Sequence, residues 1–240
     1  MFFFQIMTET LMIYILAAIL PAIFLLRYIY QHDTIEKEPA GLLGSLILCG
    51  TLAALCSGIL EQIGTSILNR MISTANPYYV IFLAFLVVAA VEEGTKMFFL
   101  KRRTWKDWNF SHMYDAVVYS AFVSLGFAAF ENVKYVFSYG LSVALPRALL
   151  AIPGHLGFSV FMGVFYGRAK LCENRGNSFG KRLHLTLGYL CAVFLHGFYD
   201  ACAMTGTSTA NLVFIVFIII MYVVVYRMIK NASLTDRPIY

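Results

Sequence analysis

Seven hydrophobic runs recur along the chain, at about 7–30, 42–60, 79–100, 114–139, 148–166, 183–204 and 211–228. A helix rises ~1.5 Å per residue, so a run of about 20 residues crosses the ~30 Å hydrocarbon layer of a bilayer. Hydrocarbon offers no water to satisfy backbone N–H and C=O groups, so each run predicts a helix. Turn residues fall between them: Glu38-Pro39-Ala40-Gly41, Asn76-Pro77, Gly140, Gly176-Asn177, and Gly206 within a Thr/Ser stretch. No connection is long enough to fold alone, and there is no internal repeat or low-complexity tract. The pattern predicts one all-α polytopic membrane domain over 1–240, with about seven transmembrane helices.

Composition agrees. The chain is 60% hydrophobic and 13% charged, where a soluble domain carries about 25% charge. The net charge of +5 therefore concerns topology, and nucleic acid is excluded as a partner; the lipid bilayer is the surrounding. With the N-terminus outside, fourteen Lys and Arg fall in cytoplasmic segments and two, Arg70 and Arg147, fall outside. That asymmetry predicts a cytoplasmic C-terminus and a multi-pass protein of the bacterial plasma membrane. No Lys or Arg precedes Arg27, so the basic start of a cleaved signal peptide is missing and the first run is expected to stay as a helix. The five cysteines show no CxxC or Cys/His zinc spacing and are expected to be small buried hydrophobes.

The third run breaks the apolar pattern. Eleven apolar residues, 80–90, lead into Glu92, Glu93 and Lys96, and only then comes the basic cluster Lys101, Arg102, Arg103. Nine residues at ~1.5 Å place Glu92 about 13 Å inside that cluster. One charge at such depth costs at least ~2.5 kcal/mol, so two adjacent acids need a polar purpose. The next three runs bring more. The fourth carries Glu131 and Tyr135, four apart on one helical face; the fifth carries His155 among Gly154, Gly157 and Gly163; the sixth carries His196 and Asp200, again four apart. Counting along the helices puts Glu131, His155, His196 and Asp200 in the outer half of the bilayer and Glu92 and Glu93 nearer its middle. They are expected to share one cavity open toward the extracytoplasmic side.

Ordinary readings stand beside the functional one. Glu93 pairs equally well with Lys96 or Lys134, His155 with a neighbouring backbone group, and Glu131 with Tyr135 as an interhelical clamp. Asp33, Glu36 and Glu38 read as loop residues at the inner surface, and His32, His112 and His184 as interfacial. Chemically, two adjacent carboxylates suit general acid–base work: one takes a proton from a water attacking a peptide carbonyl while Lys96 holds the other ionised. His155 is placed to help hold the water and His196 to donate to the developing oxyanion. The same Glu and His set also suits zinc, ligated by His155, His196 and Asp200 with Glu92 or Glu93. No HExxH helix is present, so the residues alone leave both open, with no cofactor favoured and zinc possible.

In order, these motifs resemble the PrsW-type intramembrane proteases, relatives of the CAAX-processing and bacteriocin-immunity proteases. The resemblance rests on Glu36-Lys37-Glu38-Pro39, on Glu92-Glu93-Gly94-Thr95-Lys96, on Tyr114-Asp115 with Tyr119 followed by Ser124-Leu125-Gly126-Phe127, on Phe130-Glu131-Asn132-Val133-Lys134-Tyr135, on Arg147-Ala148-Leu149-Leu150 with His155, and on His196-Gly197-Phe198-Tyr199-Asp200. It implies an intramembrane endopeptidase that cuts a single-span membrane protein near the extracytoplasmic side, as in the first cut of an anti-sigma factor under envelope stress. It also implies that Glu92 activates water with His155, that Glu93 supports it and that His196 stabilises the oxyanion. Many CAAX proteases carry Asn where this chain has Asp200. An ionised Asp cannot donate to an oxyanion, so Asp200 is expected to orient His196 or bind a metal. The resemblance leaves metalloprotease and glutamic protease both open, with a lean to the glutamic type.

Two rivals keep their place. A proton- or ion-coupled transporter also uses intramembrane Glu, His and Lys, but such proteins usually show repeated halves with interrupted spans. A non-catalytic membrane adaptor would not need the full motif set.

Overall fold

The computed structural model describes the backbone of residues 2–240 and the side chains of residues 8–240; Met7, where the first predicted span begins, has its side chain outside the described residues. The described residues form nine α-helices, joined by loops and, between α3 and α4 and from α5 to α7, by short π and 3-10 segments: α1 (Phe2–His32), α2 (Ala40–Met71), α3 (Tyr79–Phe82), α4 (Ala90–Thr104), α5 (Asp115–Tyr139), α6 (Ala144–Pro146), α7 (Ile152–Asn174), α8 (Ser178–Thr205) and α9 (Ser208–Leu234). A π-helical segment, Leu83–Ala89, joins α3 to α4, and a second, Arg147–Ala151, joins α6 to α7. The described residues contain no β-strand, only an isolated bridge between His112 and Pro238.

Six stretches among the described residues are long and apolar enough to cross a membrane: Thr8–His32, Ala40–Met71, Asp115–Tyr139, Leu141–Asn174, Ser178–Thr205 and Ser208–Leu234. The chain is a polytopic membrane protein. The seventh expected run is also helical, from α3 to the end of α4, but its charges keep it from counting by composition. Those charges are turned inward, with Glu92, Glu93 and Lys96 only 4, 0 and 2% exposed. Two boundaries moved. The second run was expected to stop near residue 60, yet α2 continues to Met71 and carries Glu61 within it. The fifth was expected at 148–166, and the helical stretch runs over Leu141–Asn174.

At the centre stands α5, buried on every side from Asp115 to Ala128, as a helix apolar all round should be. It packs against α1, α2, α4 and α7. Small residues set how closely. A Cβ added at Gly126 would lie 2.5 Å from the Ile47 carbonyl oxygen, and one at Gly50 would lie 2.0 Å from that of Val123, so α2 and α5 touch backbone to backbone.

One end of the bundle collects the chain segments that carry most of the basic residues. Ile239 N–H donates to the Ser111 carbonyl at 2.9 Å, Met113 N–H to that of Arg237 at 3.0 Å, and Lys170 Nζ to that of Trp105 at 2.9 Å. Lys181 pairs with Glu173 at 2.8 Å. The ends of α1, α4, α7 and α9 and the starts of α5 and α8 therefore share one face.

Two expectations need correcting. Asp33 and Glu38, taken as loop residues of the surface, are buried, because the 33–39 loop tucks against α5. Tyr119 Oη donates to Glu38 Oε1 at 2.7 Å. Burial pushes the Glu38 carboxyl up to about 8 despite that bond, and the Asp33 carboxyl to about 6. The five cysteines are unpaired, but none is fully buried and Cys56 is exposed: in a bilayer a thiol on the outer side of the bundle already meets an apolar surrounding.

Candidate active site

Two of the motifs sit directly after the π-helical segments. Glu92 and Glu93 occupy the first turn of α4, just past Leu83–Ala89. His155 occupies the first turn of α7, just past Arg147–Ala151, with Pro153 where a missing N–H costs nothing. A π segment adds a residue to the turn and shifts the faces that follow, and such segments are found mostly at functional sites. Here both shifts deliver polar side chains to the same place. From α8, His196 and Asp200 arrive on one face, and from α5 comes Glu131.

The contacts run as a network around Lys96. Its Nζ lies 2.8 Å from Glu93 Oε1 and 3.3 Å from Glu92 Oε2, 3.1 Å from His155 Nδ1, and 4.0 Å from the centre of the Phe127 ring. An ammonium only donates, so His155 Nδ1 is the accepting nitrogen and its Nε2–H donates to Glu131 Oε2 at 3.2 Å. Ser124 Oγ also donates to the His155 carbonyl at 2.9 Å. His196 faces carboxylates on both sides: Nδ1 is 2.8 Å from Glu93 Oε1, and Nε2 is 3.3 Å from Asp200 Oδ2 and 3.9 Å from Glu92 Oε2. Its ring stacks on Phe158 at 4.8 Å. Tyr189 Oη donates to the Ala90 carbonyl at 2.9 Å, holding the start of α4 to α8.

Part of this network lines a cavity of about 360 Å³, where Glu92, Glu131, His155, His196 and Asp200 meet Glu61, Lys134, Tyr135 and Arg147. The three helices that bring His155, His196 and Glu131 put them far from the basic end. At 1.5 Å per residue, His155 and His196 lie roughly 27 Å from the end of α7 and the start of α8, which belong to that face. Of the two pairings open for Glu93, the structure makes the one with Lys96. Glu131 is not clamped to Tyr135. It takes His155 and Arg147 instead, at 3.2 and 2.8 Å, while the Tyr135 ring lies under the Arg147 guanidinium at 3.8 Å.

One donor atom from each of Glu92, Glu93, His155 and His196 lies within 4.8 Å of the others, and Glu93 Oε2 is buried with no hydrogen-bond partner. Two carboxylates and two imidazoles are a donor set of the kind zinc takes, so these residues fit such an ion. Asp200, expected among the ligands, stands beside His196 rather than in that group of four. The Lys96 ammonium meanwhile contacts three of the four.

Sequence reasoning missed two residues of the cavity. Arg147 was counted as an outside charge and named in the motif that ends at His155, eight residues on, but was given no role in the site. Glu61 was hidden by the boundary drawn at residue 60, since an acid followed by Gln62 reads as the end of a span. Ile63 and Ile67, four apart beyond Glu61, were the signal that the apolar face of the helix continues past the acid.

The family described as "PrsW family intramembrane metalloprotease" matches residues 38–228. Among curated proteins, the "Protease PrsW" of Oceanobacillus iheyensis is 32% identical over 218 residues, covering 90% of this chain and 94% of that protein. The "Protease PrsW" of Geobacillus kaustophilus is 35% identical over 184 residues, 77% of this chain and 76% of that protein. That of Bacillus subtilis is 30% identical over 184 residues, 77% and 79%. No solved structure matches the chain. The match spans the loop before α2 through most of α9, the stretch that holds every residue of the cavity, and the chain belongs to the PrsW family of intramembrane proteases.

Proposed function

We propose that this peptidase cuts a single-span membrane protein, of the anti-sigma-factor kind, within the outer part of the bilayer, and that Glu92 is its general base. One observation carries the reading: Glu92 and Glu93 converge with His155 and His196 within 4.8 Å, and Glu92, His155 and His196 line a cavity far from the basic end. In the reaction, Glu92 takes a proton from a water whose oxygen attacks the scissile carbonyl carbon, and the His155 ring, held by Lys96 at Nδ1 and by Glu131 at Nε2, bounds the place of that water. Glu93 stays ionised between Lys96 and His196 and so fixes both. His196 Nε2–H, now shared between Asp200 and Glu92, is the donor available to the carbonyl oxygen as it becomes an oxyanion. Glu92 then returns its proton to the leaving nitrogen as the C–N bond breaks.

If zinc is bound, Glu92, Glu93, His155 and His196 would hold it, and it would supply Lewis-acid polarisation of the carbonyl and a more acidic water. We favour the glutamic form because Lys96 already supplies a cation to the same donors, and a second one would face it at close range.

The test is co-expression with candidate single-span substrates and mapping of the products. Glu92→Gln keeps the shape and cannot act as a base, so cleavage should be lost while the protein accumulates normally. Unchanged cleavage in Glu92→Gln overturns the assignment, and uncoupled ion flux through that variant points to a transporter.

A further inference from the structure

We infer that Arg147 is a positioning residue for this reaction, acting on His155 through Glu131. The inference rests on the proposed role of the Glu92–His155 pair. Arg147 Nη2 donates to Glu131 Oε2 at 2.8 Å, the same oxygen that receives His155 Nε2–H at 3.2 Å. Its Nε donates to Asn132 Oδ1 at 2.8 Å, and Asn132 Nδ2 in turn donates to the Ala18 carbonyl of α1 at 2.8 Å. The guanidinium carbon stands 3.8 Å from the centre of the Tyr135 ring. Two hydrogen bonds and a ring face fix the plane of the group, and that plane fixes one oxygen of Glu131.

The need for such a residue follows from His155. Its imidazole sits between an ammonium on Nδ1 and a carboxylate on Nε2, and the two together decide which nitrogen carries the hydrogen. Lys96 is held by two acids, whereas Glu131 would be a half-buried carboxylate with only an imidazole partner if Arg147 were absent. Lys134, on the same helix, is exposed. Arg147 also comes from the π-helical turn before α7, so it ties the residue that orients His155 to the backbone segment that carries it. Lysine would keep the charge but not the fork that reaches Glu131 and Asn132 together.

The experiment compares Arg147→Gln, Arg147→Lys, Glu131→Gln and the double variant Arg147→Gln/Glu131→Gln on a substrate cleaved by the unaltered enzyme, in reconstituted vesicles. Residues that orient a site ligand typically cost 10–100-fold on loss. We expect kcat in Arg147→Gln to fall by that order with KM unchanged, and Arg147→Lys to recover part of the loss. The double variant should be no slower than Glu131→Gln alone, because both changes remove one coupled unit. If Arg147→Gln fails to accumulate, Arg147→Lys decides: a lower kcat at normal abundance and unchanged KM supports the inference. A rise in KM at unchanged kcat would make Arg147 a substrate contact and overturn it, as would a double variant in which the losses multiply. Glu92→Gln is run alongside. Its inactivity together with unaltered kinetics in the Arg147 variants overturns this inference alone, whereas its full activity removes the proposed reaction and this inference with it.

Discussion

Asp200 is the residue whose place in the site most sharply separates the two chemistries. Its Oδ2 lies 3.3 Å from His196 Nε2, one turn along α8, and it stands apart from the four donors that converge within 4.8 Å. As an acceptor it holds the His196 N–H that would serve the oxyanion. Asparagine in that position keeps an accepting oxygen and adds a donor, so Asp200→Asn should retain measurable cleavage, reduced by about tenfold, the scale of losing one charge-assisted hydrogen bond. Purified wild-type protein should cleave in the presence of a chelator, and elemental analysis should find well under one metal per active chain. About one zinc per chain, removed by the chelator together with activity and restored by adding zinc, would sink the glutamic form. The grouping of the polar residues was legible in the sequence because charges in an apolar run are expensive and therefore informative: Glu92, Glu93, Lys96, His155 and His196 lie together. The contact of Arg147 with Glu131 and the place of Glu61 in the cavity were not, for different reasons. A guanidinium near the edge of a bilayer reads as topology until a partner is seen, and a carboxylate reads as a helix end until the helix is seen to pass it.

At the level of the helices, the contact between α2 and α5 sets where the cavity wall stands. Gly126 faces Ile47 on α2, where an added Cβ would meet carbonyl oxygen at 2.5 Å and the Ile47 Cα at 2.8 Å. Backbone cannot rotate away as a side chain can, so Gly126→Ala must separate the helices. Overpacking of this kind costs about 1–3 kcal/mol, and the shift would move Glu131, on the same helix, away from His155. We expect Gly126→Ala to lower the thermal unfolding midpoint in detergent by several degrees and to reduce cleavage. Gly41→Ala, with nothing within 4 Å of the added carbon, should do neither. A normal midpoint in Gly126→Ala would show that the helices are not held this closely. Helix existence was readable from run length alone, and the seven predicted runs all became helical. What the runs could not give were the π-helical turns at Leu83–Ala89 and Arg147–Ala151. Neither changes the hydrophobic pattern, yet each rotates the face that follows it. The extension of α2 to Met71 was equally hidden, because a polar residue aimed into a cavity leaves the same mark on the sequence as one emerging into water.

For the molecule as a whole, the question is which way the cavity opens. The contacts place the C-terminal segment beside the starts and ends of six helices: Ile239 meets Ser111, and Arg237 meets Met113. The same face gathers Lys101, Arg102 and Arg103 at the end of α4 and Lys181 at the start of α8. Positive charge is retained on the cytoplasmic side during insertion, so this face should be inside, and the cavity, at the far ends of α5 and α8, should open outside. A reporter active only in the cytoplasm, fused after Tyr240, should therefore give a signal. A thiol reagent that does not cross membranes should label a cysteine introduced at Ser208, which begins α9 in the connection after α8, in intact cells that carry a background free of the five native cysteines. The two readouts are independent, because one samples the basic face and the other the rim near Asp200. Protection of the Ser208 cysteine in intact cells, with labelling only after lysis, would put that rim in the cytoplasm. A substrate would then have to be cut from the inner side, and the outer-leaflet reaction proposed for Glu92 would have the wrong address.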